Sequence, residues 1–273
     1  MQVQEFLDNL NKVGTLSYVG ETALNTPIPM ISKGKGEKGK VLLVGAVHAR
    51  EYITAPLLTS LMEDYNGEYP VDCIPLLNVD GVSLVTEGLN GLTLKLRDRQ
   101  TLLRLNGGST DFSLWKANLR GVDLNLNADA DWGKGRGNLN YPNPEGYIGP
   151  FPFSEKESYA VQRLIDSNDY ALMVCYHSKG EEVYYGYKRN HRYRKEALRI
   201  AEKLQYKLKT TPYSTGGLKD YFTLKTGYLG LTIEVGSDAL SHPIPLSQLN
   251  ELKERHKGII HLFTEIAQKI WTK

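Results

Sequence analysis

Cysteine is nearly absent: only Cys73 and Cys175 occur among 273 residues, each inside an apolar β-type run (CIPLLNVD and ALMVCYH). Buried free thiols pack as small hydrophobes, so two core cysteines are expected rather than a disulfide. Neither forms a pair with metal-ligand spacing, which excludes a structural zinc ribbon. An excess of one charge is also missing, because 33 Lys and Arg stand against 31 Asp and Glu for a net charge of +2. Such a chain has no general field for nucleic acid or for an anionic membrane, and neither is expected as a partner. No apolar run reaches the roughly 18 residues of a spanning helix, so membrane insertion is not expected. The opening MQVQEFLDNLNKV places acidic and amide side chains where a secretory leader needs an apolar core; a cytoplasmic location is expected. The stretch GKGEKGK (34–40) lacks the spacing and terminal hydroxyl of a P-loop and reads as a solvated turn.

With 41% apolar and 23% charged residues, the composition is that of an ordinary globular protein. Residues 3–13 read as an amphipathic helix, and 15–20 and 27–32 as β-type segments. A strand over 41–47, apolar throughout, calls for burial on both faces. Leu57, Leu58, Leu61 and Met62 keep helical spacing within 53–65. CIPLLNVDG (73–81) reads as a strand that breaks at Asp80-Gly81, and 82–150 as long loops. Ser154 and Glu157 in SEKESYAVQRLID have the spacing of a capping box. Strands near 170–176 and 182–187, a basic helix near 192–208, the strand LGLTIEVG and one long helix over 246–271 complete the pattern. This alternation predicts an α/β fold, a three-layer α/β/α arrangement with a central mixed, mainly parallel twisted sheet, in one domain over 1–273. Ligands in such sheets bind beyond the carboxyl ends of the strands, where His48, Asp80, His177 and Glu234 are expected.

His48 and Glu51 follow the first apolar strand directly, and His177 closes a second one. Two imidazoles and one carboxylate can fill three positions of a tetrahedral zinc ion and leave the fourth open, as catalytic sites do. Asp80 and Asp123 are expected to hold loops or to orient ligands by hydrogen bonds. His191, His242, His256 and His261 lack ligand-like context and are expected in solvent, as is the basic run YKRNHRYRK (187–195). Trp115 and Trp132 read equally well as a pocket wall or as core.

Six segments, in order, resemble the zinc carboxypeptidase family of the carboxypeptidase A type: HARE (48–51), NVDG (78–81), GVDLNLN (121–127), GPFPFSEKE (149–157), YHS (176–178) and TIEVG (232–236). The resemblance implies one Zn2+ per chain, held by His48, Glu51 and His177. It implies that Glu234 takes a proton from the attacking water and hands it to the leaving amine. It also implies that Arg50 and Asn125 bind substrate and that Tyr213 caps the site. Two residues depart from the family pattern. Leu126 stands where an arginine grips a free C-terminal α-carboxylate, a charge-assisted contact that an alkyl chain does not replace. Lys116 stands where an arginine stabilises the oxyanion, which a lysine can do as a point charge. The segments WKANLRGVDLNLN, YHSKGEEVYYGY, GGLKDYF and TIEVG are similar to bacterial γ-D-glutamyl-diaminopimelate peptidases, which cut peptidoglycan stem peptides. Diaminopimelate carries both signs of charge, and Lys179, Glu181, Glu182, Lys219, Asp220 and Arg120 are candidates to receive it. The expectation is therefore a zinc metallopeptidase acting on a muropeptide or peptide substrate. The alternatives are a metallocarboxypeptidase releasing C-terminal amino acids and an inactive muropeptide-binding module.

Overall fold

The run VLLV before His48 lies in strand β3 (Lys38–Val44), with Val41 and Leu43 in one apolar cluster and Leu42 and Val44 in another. Both faces of this strand therefore need cover. The computed structural model, which describes residues 1–188 and 190–272, shows how it is provided. The other strands are β1 (Thr15–Glu21), β2 (Pro27–Lys33), β4 (Val71–Ile74), β5 (Asp169–Ser178), β6 (Glu182–Tyr185), β7 (Lys207–Thr210) and β8 (Leu229–Val235). They form an 8-stranded sheet in the order β1-β2-β4-β3-β5-β8-β6-β7. The central pairs β4-β3, β3-β5 and β5-β8 are parallel, as is β6-β7 at one edge. The pairs β1-β2, β2-β4 and β6-β8 are antiparallel. The mixed α/β sheet is the one the alternation predicts.

Helices α2 (Thr54–Asp64), α6 (Arg194–Leu204), α8 (Leu249–His256) and α9 (Ile259–Trp271) cover one face, through residues such as Leu57, Ile200, Leu252 and Phe263. Helices α5 (Lys156–Ser167) and α7 (Leu218–Thr226) cover the other, through Val161, Ile165 and Phe222. Cys73 and Cys175 are buried free thiols in clusters on opposite faces, so they cannot pair. Among the described residues no helix is long and apolar enough to cross a membrane.

Several local expectations are corrected. Asp80-Gly81 does not end a strand. Asn78 accepts a hydrogen bond from the Gly81 amide at 3.2 Å and caps helix α3 (Val79–Glu87), a local bond that outcompetes the β pattern. Asp80 sits in the first turn of α3 and accepts from the Leu24 amide at 3.0 Å and the Thr26 hydroxyl at 2.6 Å, so it ties down a loop. Residues 82–150 are not loop throughout: most of α3 and all of α4 (Leu96–Leu105) lie there. They are held by a separate cluster of Leu84, Leu102, Phe112 and Trp115 that sequence periodicity does not disclose. The expected C-terminal helix is two helices, broken where Gly258 takes a positive φ of 73°. His256 is not in solvent. It is buried against Tyr176 and Tyr206, its Nδ1 donates to the Leu252 carbonyl at 2.8 Å, and burial depresses its pKa to about 4.

Ser154 is not a helix cap either: α5 starts at Lys156, and the Ser154 hydroxyl donates to Glu155 at 2.9 Å. Glu157 is buried with neither carboxyl oxygen hydrogen-bonded. Burial, reinforced by the charges of Glu155 and Asp80, pushes its pKa up to about 7. A carboxyl whose folded pKa is raised binds more protons than the unfolded chain, so stability falls as pH climbs from the ordinary carboxylate range to about 7. Glu157→Gln is expected to stabilise the protein by ~3 kcal/mol above neutrality, and by almost nothing below pH ~4.5. Thermal melts at acid and alkaline pH check this; equal gains at both would contradict it.

Candidate metal centre

The turn after β3 is built to aim two side chains the same way. Gly45 opens it where a Cβ would lie 2.7 Å from Leu58 Cδ1 and 2.8 Å from the Pro75 carbonyl. The Ala46 amide donates to Thr54 Oγ1 at 2.7 Å, and that hydroxyl donates to the Glu51 carbonyl at 2.9 Å. Asn78 Nδ2 donates to the Val47 and Ala117 carbonyls at 3.3 and 3.1 Å. Ala49–Glu51 then form one turn of 3-10 helix with His48 at its start. Residues three apart eclipse in such a turn, so His48 and Glu51 share a side. His177 arrives near the end of β5, and the parallel register of β5 and β8 sets Glu234 directly beside it.

His48 Nδ1 lies 2.8 Å from Glu51 Oε1, His177 Nδ1 lies 2.9 Å from Glu51 Oε2, and the two Nδ1 atoms are 3.1 Å apart. All three side chains are buried. A tetrahedral ion with ligand bonds of about 2.0–2.2 Å sets neighbouring ligand atoms roughly 3.3–3.6 Å apart, so the trio is slightly tighter than a filled zinc site and near its size. Two imidazole nitrogens facing each other at that distance need a proton or a cation between them. The donor set thus fits zinc. Asp123, also buried, accepts from His48 Nε2 at 3.1 Å and from Lys116 Nζ at 2.9 Å. Burial opposes charge on His48, yet Glu51 and Asp123 together outweigh it and its Lys116 neighbour, and its pKa rises. Burial likewise opposes charge on Glu51, but the two histidines hold its carboxyl well below the usual range.

Glu234 is partly buried, and burial pushes its pKa up to about 7, with His177 pulling down and Glu51 pushing up. Lys116 remains a cation because Asp123 outweighs the burial that would discharge it, and Glu234 feels its charge. Arg50 Nη1 donates to the Leu114 carbonyl at 3.2 Å and pairs with Glu145 at 3.1 Å. Asn125 Oδ1 accepts from the Leu218 amide at 3.3 Å, at the start of α7. Leu126 follows it, partly buried, with its backbone against Gly216. Tyr213 is not brought to the others; it stands in solvent, 86% exposed.

The expected two-sign pocket is largely undone. Lys219 and Asp220 are buried and bonded to each other, with Lys219 also donating to the Gly186 carbonyl at 3.1 Å. Glu181 is engaged by Arg255, Glu182 by Lys209, and Arg120 is directed to Glu155. Lys179, next to Ser178, donates to the Asp238 carbonyl at 2.7 Å, and its charge is felt by His242. Trp115 is core, its indole N–H donating to the Asn118 carbonyl at 3.2 Å, whereas Trp132 is partly buried. His242, expected in solvent, is instead half-buried in the loop after β8, within electrostatic reach of Glu51, Arg50, Lys179 and His48. No local motif marks it, because only the return of that loop brings it there. A cavity of about 570 Å³ between β1 and α5 contains none of these residues, so chemistry rather than volume locates the site.

Residues 3–257 match the zinc carboxypeptidase family, peptidase M14. The chain belongs to that family. It is 28% identical over 264 residues to a gamma-D-glutamyl-L-diamino acid endopeptidase 1 from Lysinibacillus sphaericus, a match covering 88% of this chain and 65% of that relative. The chain thus spans slightly under two-thirds of that relative's length. The fold superposes on bovine thrombin-activatable fibrinolysis inhibitor, solved with tick carboxypeptidase inhibitor, with a TM-score of 0.76, 18% identity and coverage of 99% and 97%. It also superposes on the murein-tripeptide amidase of Escherichia coli O157, with a TM-score of 0.57, 18% identity and coverage of 94% and 92%. In this zinc-dependent family, zinc held by His48, Glu51 and His177 would supply Lewis-acid polarisation of the scissile carbonyl.

Proposed function

We propose that this peptidase hydrolyses the γ-D-glutamyl–meso-diaminopimelate amide bond of peptidoglycan stem peptides, with one zinc ion per chain. The observation that carries the reading is Leu126. The trio and Glu234 converge as amide hydrolysis requires, yet an alkyl chain stands beside Asn125 where C-terminal trimming needs a bidentate grip on a free α-carboxylate. The named activity of the Lysinibacillus relative points the same way.

The residues divide the work as follows. Glu234, poised near neutrality by its enclosure, accepts a proton from the attacking water and returns it to the leaving amine. Lys116, kept positive by Asp123, places a fixed charge toward the developing oxyanion. Arg50 and Asn125 orient substrate, and Tyr213, 86% exposed, closes over it. The test is product analysis by mass spectrometry after incubation with L-Ala-γ-D-Glu-meso-diaminopimelate. Release of L-Ala-D-Glu and diaminopimelate is expected. Release instead of C-terminal residues from ordinary α-linked peptides, abolished by amidating the terminal carboxylate, would replace this reading with that of a carboxypeptidase. Zinc-loaded protein that binds the tripeptide without cutting any peptide would leave only a binding module.

A further inference from the structure

Unsatisfied polar atoms gather around the trio. Arg50 Nε, Ser178 Oγ and His242 Nδ1 are all buried without a hydrogen-bond partner. Buried polar groups are ordinarily bonded, and orphaned ones on residues next to the trio, or within electrostatic reach of it, point to a partner that is not part of the chain. Arg50 lies inside the turn that carries His48 and Glu51, and Ser178 follows His177, its amide donating to Glu51 Oε2 at 3.3 Å. His242 comes from the loop after β8. Lys179 adds a second cation there, its Nζ donating to the Asp238 carbonyl at 2.7 Å.

The ligand these atoms want is an anionic acceptor. A guanidinium N–H, an ammonium and a hydroxyl are donors, and the imidazole is a donor in the tautomer with hydrogen on Nδ1. The acids now paired with the two cations, Glu145 at 57% and Asp238 at 77% side-chain exposure, face solvent and hold them weakly. A substrate carboxylate can displace both. These residues come from elements other than the Asn125–Leu126 segment, which packs on α7 and lacks a guanidinium.

We infer that Arg50, Ser178, Lys179 and His242 form a carboxylate subsite beside the metal centre that selects γ-linked glutamyl substrates by the free α-carboxylate on their acyl side. The inference rests on the proposed function. An α-linked peptide has no carboxylate at that place, whereas a γ-glutamyl amide with its α-carboxyl unmodified does, so the subsite distinguishes the linkage and not merely the residue.

The experiment compares the stem tripeptide with an analogue in which D-Glu is replaced by 4-aminobutyrate, which keeps the chain length and loses only the α-carboxylate. The native enzyme is expected to prefer the tripeptide by about 10- to 100-fold in kcat/KM, as for a charge-assisted contact. In His242→Leu and in Ser178→Ala the preference should shrink through a raised KM for the tripeptide, with zinc content and Tm measured to confirm the fold. An undiminished preference in both variants overturns the subsite while the γ-glutamyl reading stands. If the tripeptide is not cut at all, that reading fails, and calorimetry with L-alanyl-D-glutamate decides the subsite separately. Binding weakened in His242→Leu sustains it; equal binding overturns it.

Discussion

Glu234→Gln is expected to lower kcat on the stem peptide by about 10²- to 10⁴-fold, the usual contribution of a positioned acid–base group, while zinc content is retained. The amide keeps the size of the side chain beside His177 but can neither accept a proton from water nor return one to the departing amine. The same change has a second signature. The carboxyl is raised to about 7, chiefly by burial, so in the metal-free protein it costs stability as pH rises from the ordinary carboxylate range through neutrality. Metal-free Glu234→Gln should therefore be the more stable form above pH ~7 and indistinguishable below pH ~4.5. Kinetics, metal analysis and melts at two pH values read all three effects. A variant with native kcat would remove Glu234 from the chemistry.

The second large effect concerns zinc itself. Glu51→Gln leaves the Nδ1 atoms of His48 and His177 3.1 Å apart without the carboxylate that joins them. Its zinc affinity should fall by far more than the ~10–100-fold expected for Asp123→Asn, which only loosens the orientation of His48. Proton competition adds a pH dependence with a definite sign. Glu51 and Asp123 raise the His48 pKa against its burial, so in metal-free protein the imidazole stays protonated higher in pH than a free histidine. Zinc must displace that proton, and its affinity should weaken by about tenfold for each pH unit below the His48 pKa. Either substitution removes a charge that raises this pKa, so the pH at which affinity levels off should move down. Competition titrations with a chromophoric chelator measure both quantities. Affinity independent of pH across the range from about 5.5 to 8.5 would contradict the assignment of His48 as a ligand.

The candidate metal trio was legible because each of its two strands announces itself. VLLV and YALMVC are apolar on both faces, which identifies central strands, and parallel neighbours deliver their carboxyl ends to one edge of the sheet. His48, Glu51 and His177 stand at those ends, and Glu234 ends a third such strand in register with His177. Other features escaped for equally definite reasons. Asn78 turned an apparent strand end into a helix start through a bond only three residues long. Helix α4 has one buried leucine, so its amphipathic stripe is faint until Trp115 and Phe112 fold onto it.

Charge was the harder quantity. Lys219 and Asp220 looked like pocket residues because they are polar and near a motif, yet they are enclosed and bonded to each other. His242 and His256 are alike in the sequence as isolated histidines, yet one comes within electrostatic reach of the candidate trio while the other lies between tyrosines beneath the sheet. Taken alone, the order of amino acids determined which atoms could bind a metal, which strands present them and which family they belong to, since apolar periodicity and motif spacing are local properties of a chain. Folding in three dimensions decided which charges are neutralised, which histidine meets the site and which donors are left without partners. Ion pairing and desolvation depend on neighbours brought from distant parts of the chain, and those neighbours exist only once the sheet and its two helical layers have closed.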